Sequence, residues 1–466
     1  MSKKYDLVIL GSGSAAFAAA LKASELGAKA ALVEHDTVGG TCVNCGCIPS
    51  KNLIRAATLF YRARDVRFPG LNLSGDADFP ELIAQKDELV AELRREKYSD
   101  IAARDPNIEI VEGKGRFVGP HEVAVGDTVL RAKRIIIATG ARPHVPAIPG
   151  LEGVEYLTSR TAFELQALPE KLIIIGGGYI ACELGQMFSR LGAGVTILER
   201  GPRLLSSFEP LIAEALLSRF RAEGIRVGLD AEVIAVRGEK GMITAIVRSD
   251  GAEQETTGTH LLLATGRAPN TEGLDLEVAG VETDGHGFVV VDDEMRTSVP
   301  HIFAAGDVTG PPMATPVAAR EGAVAAENAL TDVGRRMDYR AIPRAVFTDP
   351  EIGAVGPTEA AAESRGIRCT CQVLDLKYVP RARAIREAEG LVEMVAEADT
   401  GRIIGVHLFM PQAGELIHEA ALAVRMGLTV ADLAGAIHVY PTLSEALKLV
   451  AQSFTRDISR LSCCAE

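Results

Sequence analysis

Two stretches of this chain follow one plan. "YDLVILGSGSAAFAAALKASELGAKAALVE" (5–34) and "KLIIIGGGYIACELGQMFSRLGAGVTILER" (171–200) each run from an apolar strand through a glycine turn and a helix into a second strand ending near an acid. Gly11, Gly13 and Ala16 in the first, and Gly176, Gly178 and Ala181 in the second, keep the spacing of a dinucleotide fingerprint. The first position makes the tight turn, the second lets backbone approach a pyrophosphate, and the small third packs helix on strand. Glu34 and Glu199 each lie 23 residues beyond the first glycine, where a carboxylate accepts from a ribose 2'-hydroxyl. One such match is weak evidence, because glycine turns before helices are common. Two complete units with terminal acids predict a chain that binds two dinucleotides on an α/β scaffold.

At 466 residues the chain exceeds what one hydrophobic core usually serves, so several domains are expected. A net charge of −13 opposes adhesion to nucleic acid or anionic lipid. No run approaches the 18 or so apolar residues of a membrane span, and the apolar run near the N-terminus is cut short by Gly11, too soon for a secretory leader. A cytoplasmic location is therefore expected, where eight cysteines at 42/45/47, 182, 369/371 and 463/464 read as catalytic or metal-binding before they read as disulfides.

Between and after the fingerprints, "IIIATGARP" (135–143) and "LLLATGRAPN" (261–270) each carry a strand into Ala-Thr-Gly, and "HIFAAGDVTG" (301–310) ends a strand at Asp307. Open α/β sheets bind ligands at such strand ends. From about residue 341 the pattern changes to alternating strands, with a hairpin turning at Asp399-Thr400-Gly401 and then a helix. This α+β segment has no nucleotide fingerprint and suits association. The expected division is 1–148 and 270–338 as one nucleotide-binding unit, 149–269 as the second, and 339–466 as a C-terminal dimerisation domain.

"GGTCVNCGCIPSK" (39–51) is the chemical centre of interest. Cys42 and Cys47, five residues apart, diverge by about 140° on a straight helix, so a bond between them needs a distorted turn. Gly46 permits one, and Pro49 requires a helix starting close by, which would lower a thiol's pKa. Cys42 and Cys45 also satisfy C-x-x-C, and a zinc site is a third option that lacks a second pair at suitable spacing.

This segment resembles the "GGTCxNxGCxPSK" motif of the flavin-dependent pyridine nucleotide-disulfide oxidoreductases, whose paired fingerprints, ATG motifs and GD motif occur here in the same order. The resemblance covers essentially the whole chain. It implies FAD on the first unit, with Gly40, Thr41, Thr139, Gly140 and Asp307 among its contacts, and NADH or NADPH on the second, near Gly266. It further implies a redox disulfide of Cys42 and Cys47, Cys47 toward the flavin and Cys42 toward substrate, with Lys51 near the flavin and paired with Glu183. Cys45 stands where the family is usually apolar and reads as a small packed residue.

Disulfide-reducing relatives carry His-Pro near the C-terminus as a proton donor, followed by Glu. Here "HVYPTLSE" puts Tyr440 in the histidine's place, with His438 two residues earlier and Glu445 retained. A phenol that ionises near 10 is a poor proton shuttle at neutral pH. The chain ends "RLSCCAE", where reduced Cys463 and Cys464 present two soft sulfurs suited to a soft metal.

These features, with Tyr179 after Gly178, resemble the mercuric reductase branch of the family. That likeness implies Hg(II) as substrate, captured by Cys463 and Cys464, passed to Cys42 and Cys47 and reduced to Hg(0). It also implies a homodimer in which Tyr440, Glu445 and the tail complete the other subunit's site, with small thiols or mercury-carrier proteins as donors. Glu199 suits NADH, while Arg200 and Arg203 suit a 2'-phosphate, and the likeness leans to NADPH. The alternatives are dihydrolipoamide dehydrogenase and a thiol-rich metal-sequestering protein. Cys369 and Cys371, alternate residues of an expected strand, are read as structural, with accessory metal binding as the other option. Cys182 is read as buried packing.

Overall fold

The structure, a computed structural model, describes residues 2–239 and 241–460. Both fingerprint stretches fold as strand, helix, strand: Ser2–Leu10, Ser14–Glu25 and Ala30–Glu34, then Lys171–Ile175, Tyr179–Leu191 and Gly194–Leu198. The strands of each unit pair in parallel and are covered on both faces, which is why they read as continuous apolar runs.

In the first sheet Ile108–Glu112, Ala30–Glu34, Ser2–Leu10 and Thr128–Ile137 run side by side in parallel. Thr128–Ile137 is shared. Its first half pairs antiparallel with Glu122–Val125, and its last residues pair in parallel with Ile302–Ala304, which arrives from far along the chain. The helix Thr315–Thr331 then lies along Ser14–Glu25. A Cβ on Gly322 would sit 2.0 Å from the Ala15 carbonyl oxygen, so this contact requires glycine.

The second sheet orders Arg226–Gly228, Gly194–Leu198, Lys171–Ile175 and His260–Leu263 in parallel, with a three-stranded antiparallel sheet over 232–258 beside it. Ala141–Pro143 and Arg267–Pro269, which follow the two ATG motifs, pair antiparallel where the chain passes between the units. The third sheet is antiparallel: Arg344–Val346, Glu351–Val355, Ile403–Met410, Leu391–Glu397 and Cys369–Asp375. One face packs beneath the helices Ala413–Met426 and Glu445–Gln452, while Val346, Ile352, Ala354 and Phe409 on the other face join the core around the second fingerprint helix. Cys182 on that helix is fully buried, as packing requires. Among the described residues no helix is long and apolar enough to cross a membrane.

Candidate active site

The two fingerprints match atom for atom at their first glycine. Gly11 has φ +112° and Gly176 has φ +109°, and a Cβ on either would lie 2.4 Å from the alanine carbonyl of an ATG motif, Ala138 or Ala264. Gly11 N–H donates to Val33 O and Gly176 N–H to Leu198 O, both at 2.8 Å. Gly13 and Gly178 cap the two helices, and Ala16 and Ala181 are fully buried beneath them. The units part at the middle residue. Ser12 donates to Glu34 at 2.6 Å, whereas Gly177 leaves its space to the Glu199 side chain. Glu199 accepts from the Gly201 N–H at 2.7 Å, and Arg200 is exposed beside it.

A cleft of about 350 Å³ runs from Glu34 past Gly11, Gly40 and Thr41 to Cys45, closed on its far side by Thr139, Arg160 and Arg267. Cys45, expected to be packed, instead lines this cleft and is only partly buried. The residue class was right for a small side chain, but the short helix Gly40–Cys45 turns this position outward to the groove. Thr139 and Asn270 tie the ATG strands together, Thr139 Oγ1 donating to Asn270 O at 2.8 Å and Asn270 Nδ2 to Thr139 O at 2.9 Å. Gly140 takes φ +68° and Gly266 φ +104° at the same crossing. Asp307 is mostly buried, its carboxyl raised by that burial against the pull of Arg267. Arg267 Nε lies 3.5 Å from it yet has no hydrogen-bond partner. A buried donor without a partner, beside a partly exposed carboxylate in a glycine-floored groove, fits an FAD molecule.

The cysteine segment forms two helices, Gly40–Cys45 and Cys47–Arg64, broken at Gly46. A Cβ at Gly46 would lie 2.9 Å from Thr41 O and 3.3 Å from the Cys42 Cα, so glycine lets the chain fold back and bring Cys47 to Cys42. Both thiols are free and hydrogen-bond to each other. Cys47 opens its helix, and Thr315, which opens Thr315–Thr331, sits with its hydroxyl 3.5 Å from the Cys47 sulfur. The Cys42 hydrogen bond, then Thr315 and the Lys51 charge, outweigh burial and hold Cys47 down to about 6, while Cys42 is pushed up by the same bond and by burial. The pair thus holds one thiolate and one thiol at neutral pH.

Lys51 donates to Glu183 at 2.7 Å and stands 4.6 Å from the Phe347 ring centroid, and Phe347 N–H donates to Glu183 at 3.0 Å. One buried carboxylate therefore joins the cysteine helix, the second fingerprint helix and the loop that leaves the strand Arg344–Val346 of the third sheet. Tyr179, 45% exposed, faces the same space, its phenol raised by partial desolvation within the fields of Arg267, Asp307 and Cys47. Tyr98, on a π-helical turn over Arg95–Ser99, comes within electrostatic reach of both sulfurs and packs edge-on to Phe17 at 4.8 Å. Sequence reasoning missed Tyr98, Thr315, Asn270 and Arg267. Asn270 and Arg267 were inside a motif already singled out; the other two are brought in by packing alone.

Tyr440 and Glu445 lie elsewhere, on the C-terminal domain. Tyr440 is 47% exposed, beside Val439 and Ile437 at 76% and 94%. Glu445 opens its helix and accepts from the Thr442 N–H at 3.0 Å. His438 contacts Glu419 at 2.9 Å. Cys463 and Cys464 fall outside the described residues.

Duplicated dinucleotide cradles meeting at a partly buried thiol-thiolate pair define a nucleotide-dependent dithiol oxidoreductase. Residues 5–322 match the pyridine nucleotide-disulphide oxidoreductase family and residues 342–451 its dimerisation domain, and the chain belongs to that family. It is 47% identical to a mercuric reductase of Streptomyces lividans over 99% of this chain and 98% of that one. It is 43% identical to one of Lysinibacillus sphaericus over 99% and 84%. A Cu(II) complex of the HOCl-induced flavoprotein disulfide reductase RclA from Escherichia coli superposes with a TM-score of 0.87 at 31% identity, covering 97% of this chain and 100% of that one.

Proposed function

We propose that this chain is a mercury(II) reductase, an NAD(P)H-dependent flavoprotein that reduces Hg(II) to Hg(0) in mercury detoxification. The observation that carries the reading is the near full-length identity of 40–47% to relatives named mercuric reductase. The site chemistry agrees with it. FAD, when bound in the first cradle, supplies the relay for the two electrons that leave NAD(P)H as hydride.

The protein's own groups do the rest. Cys47 keeps a thiolate at neutral pH, and Cys42 keeps a proton for one of the two thiolates displaced from the incoming mercuric ion, the other departing as thiolate. With both sulfurs on Hg(II), two electrons reduce it to Hg(0) and free two thiolates, NAD(P)+ departs, and the proton left from the hydride returns to Cys42, so the cysteine pair is left as it began. Lys51, neutralised in part by Glu183, steadies negative charge at the cysteine helix. Tyr179 guards the face between the two cradles.

The dimerisation domain supports a homodimer. Our reading goes further: the exposed stretch through Ile437, Val439 and Tyr440, with Glu445, Cys463 and Cys464, completes the partner's site, and small thiols or carrier proteins bring mercury in the reducing cytoplasm. The division at 148, 269 and 338 belongs to the same proposal, supported by the return of Ile302–Ala304 to the first sheet.

Initial rates of NADPH and NADH oxidation with HgCl2 and excess thiol, then with lipoamide, test the assignment and settle the nucleotide. Mercury-dependent turnover is expected. Turnover confined to the organic disulfide would make the chain a disulfide reductase instead.

A further inference from the structure

A second group of sulfurs lies far along the chain from the redox pair. On the edge strand Cys369–Asp375, Cys369 and Cys371 project to one face, and the Glu359 carboxylate joins them, one ligand atom from each lying within 4.8 Å of the others. Their sulfurs hydrogen-bond to each other, and Cys371 also to Glu359. A tetrahedral ion with metal-sulfur bonds of about 2.3 Å needs its ligands about 3.8 Å apart. The set is therefore assembled almost at coordination distance.

What lies behind it points to a cation. Cys371 pairs with Val395, so Glu393, two residues back on the neighbouring strand, faces the same side, as does His407 opposite Glu393. Glu393 is 3% exposed, and its Oε2 has no hydrogen-bond partner. The carboxylates Glu209 and Glu359 lie within electrostatic reach of it. Glu209, also buried, accepts from the Glu359 N–H at 2.6 Å and caps the helix Pro210–Ala222 of the second nucleotide unit. Arg203 acts on Glu209, and Arg344 lies over the Phe208 ring and acts on His407. The groups that act on Glu393 itself are negative. Gathering three carboxylates and two thiols at one seam is costly unless something positive joins them.

We propose that Cys369, Cys371 and Glu359 form a non-catalytic site for a soft divalent cation, backed by Glu393. The ion takes two thiolates and a carboxylate, with water in any remaining position, and releases the thiol protons on binding. Because Glu359 is tied to Glu209, the occupied site fastens the second nucleotide unit to the C-terminal sheet. It does not depend on the mercury reductase reading, since no electron passes through it.

The test uses Cd(II) on the full-length, FAD-loaded chain carrying Cys42→Ser, Cys47→Ser, Cys463→Ala and Cys464→Ala. Stoichiometry by dialysis and the ultraviolet thiolate-to-cadmium band are read with and without Cys369→Ser and Cys371→Ser. One Cd(II) per chain with a two-thiolate band is expected, lost in the added double variant, together with a Cd(II)-dependent rise in thermal midpoint seen only where the pair is intact. Glu359→Ala and Glu393→Gln each weaken binding at least tenfold. No binding by the four-substitution chain, or a band that survives Cys369→Ser with Cys371→Ser, overturns the proposal. Thermal midpoints without metal show that each variant is folded.

Discussion

The hydrogen bond from Cys42 is the largest influence holding the Cys47 thiol at about 6 against its ordinary 9.0, so removing that donor should be directly visible. At pH 7 a thiol ionising near 6 is about nine-tenths thiolate, and one ionising near 9 about one part in a hundred. Cys42→Ala deletes the donor, while Cys42→Ser keeps an O–H in its place. Burial is nearly the same in both. The reduced holoenzyme is treated with iodoacetamide across pH 5 to 10, and carboxamidomethylation of the peptide bearing Cys47 is quantified by mass spectrometry. The midpoint should rise from near 6 toward 9 in Cys42→Ala and stay low in Cys42→Ser, a difference of up to tens of fold in thiolate at pH 7. Equal midpoints in wild type and Cys42→Ala would show that the hydrogen bond does not set the ionisation. Lys51→Met should raise the midpoint and Glu183→Gln lower it, because Lys51 favours the thiolate and Glu183 opposes it.

Other consequences are open to measurement. Arg62 and Arg190 hold the mostly buried Asp349 carboxyl at about 2 against an ordinary 3.8, despite the desolvation that opposes ionisation. At about 1.4 kcal/mol per pH unit this is worth roughly 2.5 kcal/mol, fully present above 3.8 and lost as pH falls through about 2. Asp349→Asn, which leaves two arginines facing a neutral amide, should cost about 3–5 kcal/mol and lower the calorimetric midpoint equally at pH 6 and pH 8; a midpoint unchanged from wild type would remove the network from the stability of the fold. Gly322→Ala should force the helix Thr315–Thr331 away from Ser14–Glu25 at a cost of about 1–3 kcal/mol, read as a lower midpoint and easier loss of flavin on dilution. Cys463→Ala with Cys464→Ala should depress mercury turnover at limiting thiol while NADPH still bleaches the flavin; unaltered mercury kinetics would take the tail out of the route.

Most of what the sequence made legible is local. Strand, glycine turn and helix at Leu10–Ser14 and Ile175–Tyr179 follow from φ/ψ demands met within a few residues, so the two cradles and their acids could be read directly. The pairing of Cys42 with Cys47 came only by resemblance. Its physical cause, the reversal at Gly46 against Thr41 and Cys42, is visible only in three dimensions. Cys45 shows the limit from the other side: its size suited packing, but which way a six-residue helix turns it depends on what that helix lies against. Cys369 and Cys371 were placed on one strand face, yet nothing in the spacing revealed Glu359 and Glu393 beside them, because those contacts depend on strand register and on an abutting helix.

The residues that tune the thiolate share a deeper reason for having been missed. Thr315 reaches Cys47 because its helix lies close along Ser14–Glu25, which Gly322 allows. Glu183 reaches Lys51 from the second nucleotide unit, and the same carboxylate is held by the backbone of Phe347, which directly follows the strand Arg344–Val346 of the third sheet. The reactivity of one sulfur is thus set by segments about 130 and 270 positions away along the chain. A shift between the nucleotide units would change the distance from Lys51 to Glu183 and with it the charge balance on Cys47, so domain packing is itself part of how the dithiol is kept ionised.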